Sequence, residues 1–177
     1  MTAARSRQKA ETTAMTEERL IAVLRIRGPS GLSGKVEKTF SLLSLPRSNA
    51  LALMPSSKTI LGMLNKLKAH IAWGEVAKET LLLLLEKQRR AGNRSGFTGE
   101  KMKEMGCDSL EALAEMIHNN PRVLKDPAAR GFRALFQLHP PRRGFKRRTK
   151  ALAGTGGRAG YRGAEINELI SRMVQPG

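Results

Sequence analysis

The chain has few reactive side chains and few acids. Cysteine occurs once, as Cys107, so it can form neither an intrachain disulfide nor a thiolate zinc site. It fits a reducing compartment, and Cys107 reads as a small residue ahead of a helix rather than a nucleophile. The three histidines, His70, His118 and His139, are far apart, and none has metal-ligand spacing. There is no Ser-His-Asp order, no paired carboxylates and no Walker A sequence. Gly154 to Ala159 fits the loose G-x-G-x-x-A pattern, but it follows a basic loop and not a buried strand, which excludes dinucleotide binding. The residues therefore indicate no enzyme, no cofactor, no metal and no small-molecule substrate. The longest apolar runs, Leu81 to Leu85 among them, fall far short of the ~18 residues of a membrane span. No secretory apolar region follows Met1, and no basic amphipathic helix carries Trp or Phe for a membrane surface.

What is abundant is positive charge. Lys and Arg total 32 against 15 Asp and Glu, giving net +17 and a pI near 11.1. A domain so unbalanced repels itself unless an anion lies against it. Between Arg130 and Ala164 stand ten Lys and Arg and no acid. A nucleic acid accounts for such a stretch better than a solvated basic loop does. The phosphate-contact candidates are Arg142, Arg143, Lys146, Arg147, Arg148, Lys150, Arg158 and Arg162; Arg suits phosphate because its fork binds bidentately. Phe145 and Tyr161 interleave with them and could stack on unpaired bases, although the chain's 4 % aromatic content favours phosphate contacts. His139 either hydrogen-bonds RNA or caps a strand end. Arg25, Arg27, Lys58 and Lys66 complete the candidate set from the rest of the chain. No zinc-finger spacing, heptad-linked basic region or RNP-type aromatic pair is present, so folded RNA read by shape and backbone fits better than sequence-specific DNA.

Periodicity organises the rest. Residues 1–18 are polar and charge-balanced, an expected mobile extension within which Met15 is a candidate start. Leu20 to Arg27 alternates: Leu20, Ala22, Leu24 and Ile26 on one face, Ile21, Val23, Arg25 and Arg27 on the other, which predicts a strand. Ser33 then caps a helix to about Leu45, ended by Pro46. A buried strand runs from Ala50 to Met54, a helix capped by Ser56 or Ser57 carries Ile60, Leu64 and Leu67, and a third strand from Ile71 to Val76 carries Trp73, read as core more than as a stacking platform. Residues 19–77 thus read β-α-β-α-β, with two helices on one face of a three-stranded sheet. The other face needs a cover, either RNA or the C-terminal part of the chain. Residues 78–133 read as a helical subdomain: Thr80 to Arg90, a short helix from Thr98 to Gly106, and a helix capped by Asp108 with Glu111 in a capping box. Residues 134–163 read as a weak edge strand ending near His139, then an extended basic arm. Residues 164–177 form a last helix with Ile166, Leu169, Ile170 and Met173 on one face. His70, ending the second helix, is expected to bind its terminal carbonyls.

Five stretches, in order, resemble one known family: IAVLRIRG at 21–28, LGMLNKLKAHIAWGEV at 61–76, GCDSLEALAEMI at 106–117, FRALFQLHPPRRGFK at 132–146 and RAGYRGAEINELISRM at 158–173. The chain is similar to the archaeal and eukaryotic type of a universal large-subunit ribosomal protein family, numbered thirty in bacteria and archaea and seven in eukaryotes. The resemblance implies an α+β fold: a small βαβαβ core with a mainly antiparallel three-stranded sheet, plus a helical insertion and an extended basic arm. It implies a structural, non-enzymatic role in the cytoplasm, with large-subunit ribosomal RNA and neighbouring ribosomal proteins as partners, and an organism outside the bacteria. By position, His139, Arg142, Arg143 and Lys146 correspond to the family's RNA-facing arm, and Gly160, Tyr161, Arg162 and Gly163 to its Gly-Arg turn. Arg27-Gly28 corresponds to the basic-Gly end of the first strand. The alternative reading is a free-standing RNA-binding or RNA-chaperone factor with the same surface.

Overall fold

A computed structural model of the chain describes residues 19–28, 30–90, 107, 109–125, 134–141, 144, 148–152 and 157–174. The elements in chain order are β1 (Leu20–Arg25), α1 (Gly34–Leu42), β2 (Ala50–Pro55), α2 (Lys58–Leu67), β3 (Ile71–Glu75), α3 (Lys78–Arg90), α4 (Leu110–Asn119), a 3-10 turn (Pro121–Lys125), β4 (Leu135–Gln137), β5 (Arg148–Leu152), β6 (Gly157–Tyr161) and α5 (Glu165–Val174).

β1 is the centre of the sheet and is buried throughout. It pairs antiparallel with β2 on one side and with β3 on the other. The expected three-stranded sheet is thus present but is not the whole sheet. β4 adds antiparallel to β2, and β6 adds parallel to β3, giving five strands in the order β4-β2-β1-β3-β6. β5 pairs parallel with β6 and extends the series outward. The sheet is therefore mixed. The reason β6 escapes a sequence reading is local: GRAGY has neither alternation nor β-branched residues, so its pairing depends on β3 offering an open edge.

The two faces of β1 divide the core as alternation predicts. Ile21 and Val23 join Ala52, Met54, Ile71 and Trp73 under α1 and α2, which contribute Phe40, Leu64 and Leu67, with Leu43 from the C-cap of α1. Leu20, Ala22 and Leu24 join Leu51, Leu53 and Ala72 under the other helices. There α3 supplies Leu81, Leu84 and Leu85, α4 supplies Leu113, Ala114 and Ile117, and α5 supplies Ile166, Leu169, Ile170 and Met173. The cover for the second face is therefore the chain's own later helices. The result is three layers, helices on either side of one sheet.

The helix ends are set by side chains and turns. Ser57 caps α2, its hydroxyl accepting from the Ile60 N–H at 3.4 Å. Ser109, not Asp108, caps α4, accepting from Ala112 N–H at 3.1 Å. The expected cap at Asp108 and the helix at 98–106 lie outside the described residues. α1 does not need Pro46 to end it. Leu45 N–H donates to the Phe40 carbonyl at 2.9 Å and Ser44 N–H to the Ser41 carbonyl at 3.1 Å, with Ser44 at φ 56°. That is a Schellman turn, with Phe40 and Leu45 both buried in the same apolar cluster. α3 is capped from afar: Asn167 on α5 accepts from Ala77 N–H at 2.9 Å and donates to the Glu75 carbonyl at 3.1 Å. β3 and the turn after β6 meet at two glycines. A Cβ on Gly74 would stand 2.1 Å from the Gly163 carbonyl oxygen, so only glycine fits there.

Candidate nucleic-acid interface

The topology sorts the cations by sheet end. β1 finishes, and β2 and β3 begin, at one end. That end therefore carries Arg27 after β1, Arg47 in the turn before β2, and Lys66, Lys68 and His70 at the close of α2. β4 also finishes there, since Gln137 pairs with Ala50 and Leu138 N–H donates to the Asn49 carbonyl at 3.0 Å. His139 follows, its N–H donating to the Met173 carbonyl at 3.3 Å, which brings in the last turn of α5. Arg172 in that turn donates to the Gly144 carbonyl at 2.8 Å. β6 enters from the same end, because Gly160 pairs with Ala72 and Gly157 lies three residues further out. β5 starts beside it, with Arg148 opposite Gly157.

The opposite end is near balance. Glu75, Glu79, Glu165 and Glu168 lie there, at the end of β3 and the first turns of α3 and α5. Nearby, Arg162 is paired with Glu165 at 3.0 Å and Lys78 with Glu115. The net positive surface of the described residues is thus concentrated at the end where β1 exits.

The candidate residues separate accordingly. Arg27 (half-buried), Lys66 (exposed) and His139 (exposed) stand at the basic end. Arg148 and Lys150 occupy β5, and Arg158 occupies β6. Arg142, Arg143, Lys146 and Arg147 lie outside the described residues, as does Phe145. Lys58 is exposed at the start of α2, at the other end. Tyr161 exposes 51 % of its surface, but its hydroxyl donates to Glu75 at 2.6 Å and its ring lies 6.3 Å from that of Trp73. Arg162 has a side chain only 12 % exposed and is neutralised by Glu165. Arg25 is interior, 1 % exposed, with its guanidinium bonded to backbone carbonyls. Its alternation with Ile21 and Val23 shows why: position 25 points into the layer under α1. Arg47 and Lys68 share the basic end with the predicted residues. Nothing local marks them, since only the strand order shows which end they occupy.

His70 meets the end of α2 through its backbone, its N–H donating to the Leu67 carbonyl at 2.8 Å. Its ring meets Phe40 edge-on at 6.3 Å and 87°, and its Nδ1 is buried without a partner among the described residues. Its backbone carbonyl accepts from both Ile26 N–H at 3.0 Å and Arg27 N–H at 3.3 Å. Burial holds its pKa below the usual histidine value, and the charges of Arg27 and Arg25 lower it further. Chemically, the basic end can bind and orient phosphates. Among the described residues no group of three or more His, Cys, Asp or Glu could hold a metal, and no helix is long and apolar enough to cross a membrane.

The chain is similar in sequence to known proteins. A family model described as ribosomal protein L30p/L7e matches residues 21–71. The chain is 39 % identical over 156 residues to the large ribosomal subunit protein uL30 of Methanosphaera stadtmanae, covering 88 % of this chain and 100 % of that protein. It is 42 % identical over 159 residues to the uL30 of Ignicoccus hospitalis, covering 89 % and 99 %. It is 38 % identical over 156 residues to that of Nanoarchaeum equitans, covering 88 % and 99 %.

Proposed function

The chain belongs to the ribosomal protein L30p/L7e family, and from that premise we propose that it is a structural constituent of the large ribosomal subunit that holds folded ribosomal RNA through phosphate contacts. The carrying observation is likeness along nearly the whole length of archaeal proteins named for that subunit. The role is structural and non-enzymatic, in cytoplasmic ribosomes, with ribosomal RNA and adjoining ribosomal proteins as partners.

The main contact is the basic end of the sheet. Arg27, Arg47, Lys66, Lys68 and His139 form its rim, and the segment from Arg142 to Lys150 with Arg158 supplies the phosphate forks. Pro141 and β5 flank residues 142–147 on the sheet's own framework, so the segment binds with both ends tethered, which lowers its ordering cost. Arg25 takes no part as a contact, and Lys58, Tyr161 and Arg162 lie apart from this surface.

Co-sedimentation after a high-salt wash tests the role. Stoichiometric retention in large subunits is the expected result; release with substoichiometric recovery would instead indicate a free RNA chaperone. With a purified large-subunit RNA, neutralising about five phosphates should give a slope of log affinity on log salt of roughly −3.5 to −4.5. Arg142, Arg143, Arg147 and Arg148 all changed to Ala should flatten that slope and leave the circular dichroism spectrum intact. Unchanged affinity would remove the arm from the interface.

A further inference from the structure

Resting on the RNA-interface reading above, we propose that Arg25 is the positioning residue of the basic end: a buried fork that fixes the two loops presenting Arg27 and Arg47 to phosphate.

Three chain segments meet on this one residue, two through its side chain and one through its backbone carbonyl. Nε donates to the Arg27 carbonyl at 2.8 Å, and Nη1 donates to the carbonyls of Leu45 at 2.6 Å and Pro46 at 2.9 Å. The Arg25 carbonyl accepts from Asn49 N–H at 2.8 Å. The exit of β1, the Schellman turn after α1 and the entry to β2 are therefore tied to a single residue. Its guanidinium carbon lies 4.0 Å from the centroid of the Phe40 ring, which fixes the plane of the fork. No carboxylate pairs with it among the described residues. Burial lowers its pKa and the charge of Glu37 partly offsets this, while Nε and Nη1, bonded to backbone carbonyls, act as a cross-link rather than half of a close ion pair.

The loop it holds needs holding. Ser44 at φ 56° and Asn49 at φ 60° are both non-glycine residues in the left-handed region, and such residues persist where the surroundings fix them. The two carbonyls bound by Nη1 lie between them, at Leu45 and Pro46. Arg47 follows directly, and Arg27 is held by its own carbonyl. Loss of the fork leaves both surface cations in place but frees the loops that orient them, so binding loses preorganisation and not charge. A lysine cannot replace it, because one ammonium cannot span three carbonyls in the plane of a guanidinium.

The test uses the full chain, a purified large-subunit ribosomal RNA and a salt titration, at a temperature where circular dichroism shows every variant folded. Arg25→Lys and Arg25→Met should each weaken binding on the order of tenfold at fixed salt with the wild-type slope retained. Arg27→Ala should lower the slope by roughly 0.7–0.9, the signature of one lost phosphate contact. Adding Ser44→Gly to Arg25→Lys relieves the left-handed position and should restore most of the affinity; this pair carries the test if Arg25→Met does not fold. Wild-type affinity in Arg25→Lys, a slope lost in Arg25→Met, or no recovery with Ser44→Gly would each overturn the assignment. A wild-type chain whose binding ignores salt would overturn the interface reading itself.

Discussion

At the scale of single residues, burial changes what a charged or titratable side chain does. Arg25, the last residue of β1, and Arg27, just beyond it, look equivalent in sequence, yet one is sealed under α1 and the other reaches the surface. His70 shows the same effect on protonation. Its folded-state pKa lies below its unfolded value near 6.5, through burial first and the two arginines second. The unfolded chain therefore binds the extra proton first, and stability falls as pH drops below about 6.5 toward the folded pKa. His70→Gln should shrink the loss of stability between pH 7.5 and pH 5, measured by urea denaturation at each pH. An undiminished loss would assign the acid sensitivity to the carboxylates instead.

At the scale of elements, the informative junction is β3 against β6. β6 is held by two registered pairs, Ala72 with Gly160 and Trp73 with Tyr161, and by Arg162 N–H donating to the Trp73 carbonyl at 2.8 Å. The close approach of Gly74 to Gly163 lets the chain turn at once into α5. Gly74→Ala pushes a methyl into a backbone carbonyl that cannot swing aside. It should cost about 2–3 kcal/mol, or roughly 4–12 °C in Tm, with the loss shown by calorimetry. Hydrogen exchange should rise first in β6 and the start of α5. A loss spread evenly over β1 and β2 would mean that this junction does not carry the strain. The α1 ending makes a related point: Pro46 looks like the terminator, but the turn is already closed by Ser44 and Leu45 before the proline is reached.

At the scale of the whole molecule, the fold segregates charge. Strand order and direction bring Arg27, Arg47, Lys66, Lys68 and His139 to one end, while Glu75, Glu79, Glu165 and Glu168 gather at the other. Changing Arg27, Arg47, Lys66 and Lys68 together to Ala should reduce the magnitude of the salt slope by up to about 3, whereas Lys58→Ala should leave it unchanged. Equal effects would show that net charge, and not its placement, drives binding. A dipolar arrangement of this kind orients a protein in the field of a polyanion before contact is made.

The sequence by itself determined the βαβαβ order of residues 19–77, the two buried faces of β1, the apolar stripes of α2, α4 and α5, and a polyanion as partner. These are properties of spacing and composition within a few residues, where period and charge count are directly legible. The family likewise followed from ordered stretches of the chain. Tertiary structure alone decided that the expected edge strand β4 pairs with β2, that β6 extends the sheet beyond β3, that later helices and not RNA cover its second face, and that Arg47 and Lys68 join the basic end. Each of those outcomes depends on pairing between residues far apart in the chain. A parallel strand such as β6 has no local pattern to announce it, and the direction of a surface cation is fixed by which strands begin and end beside it.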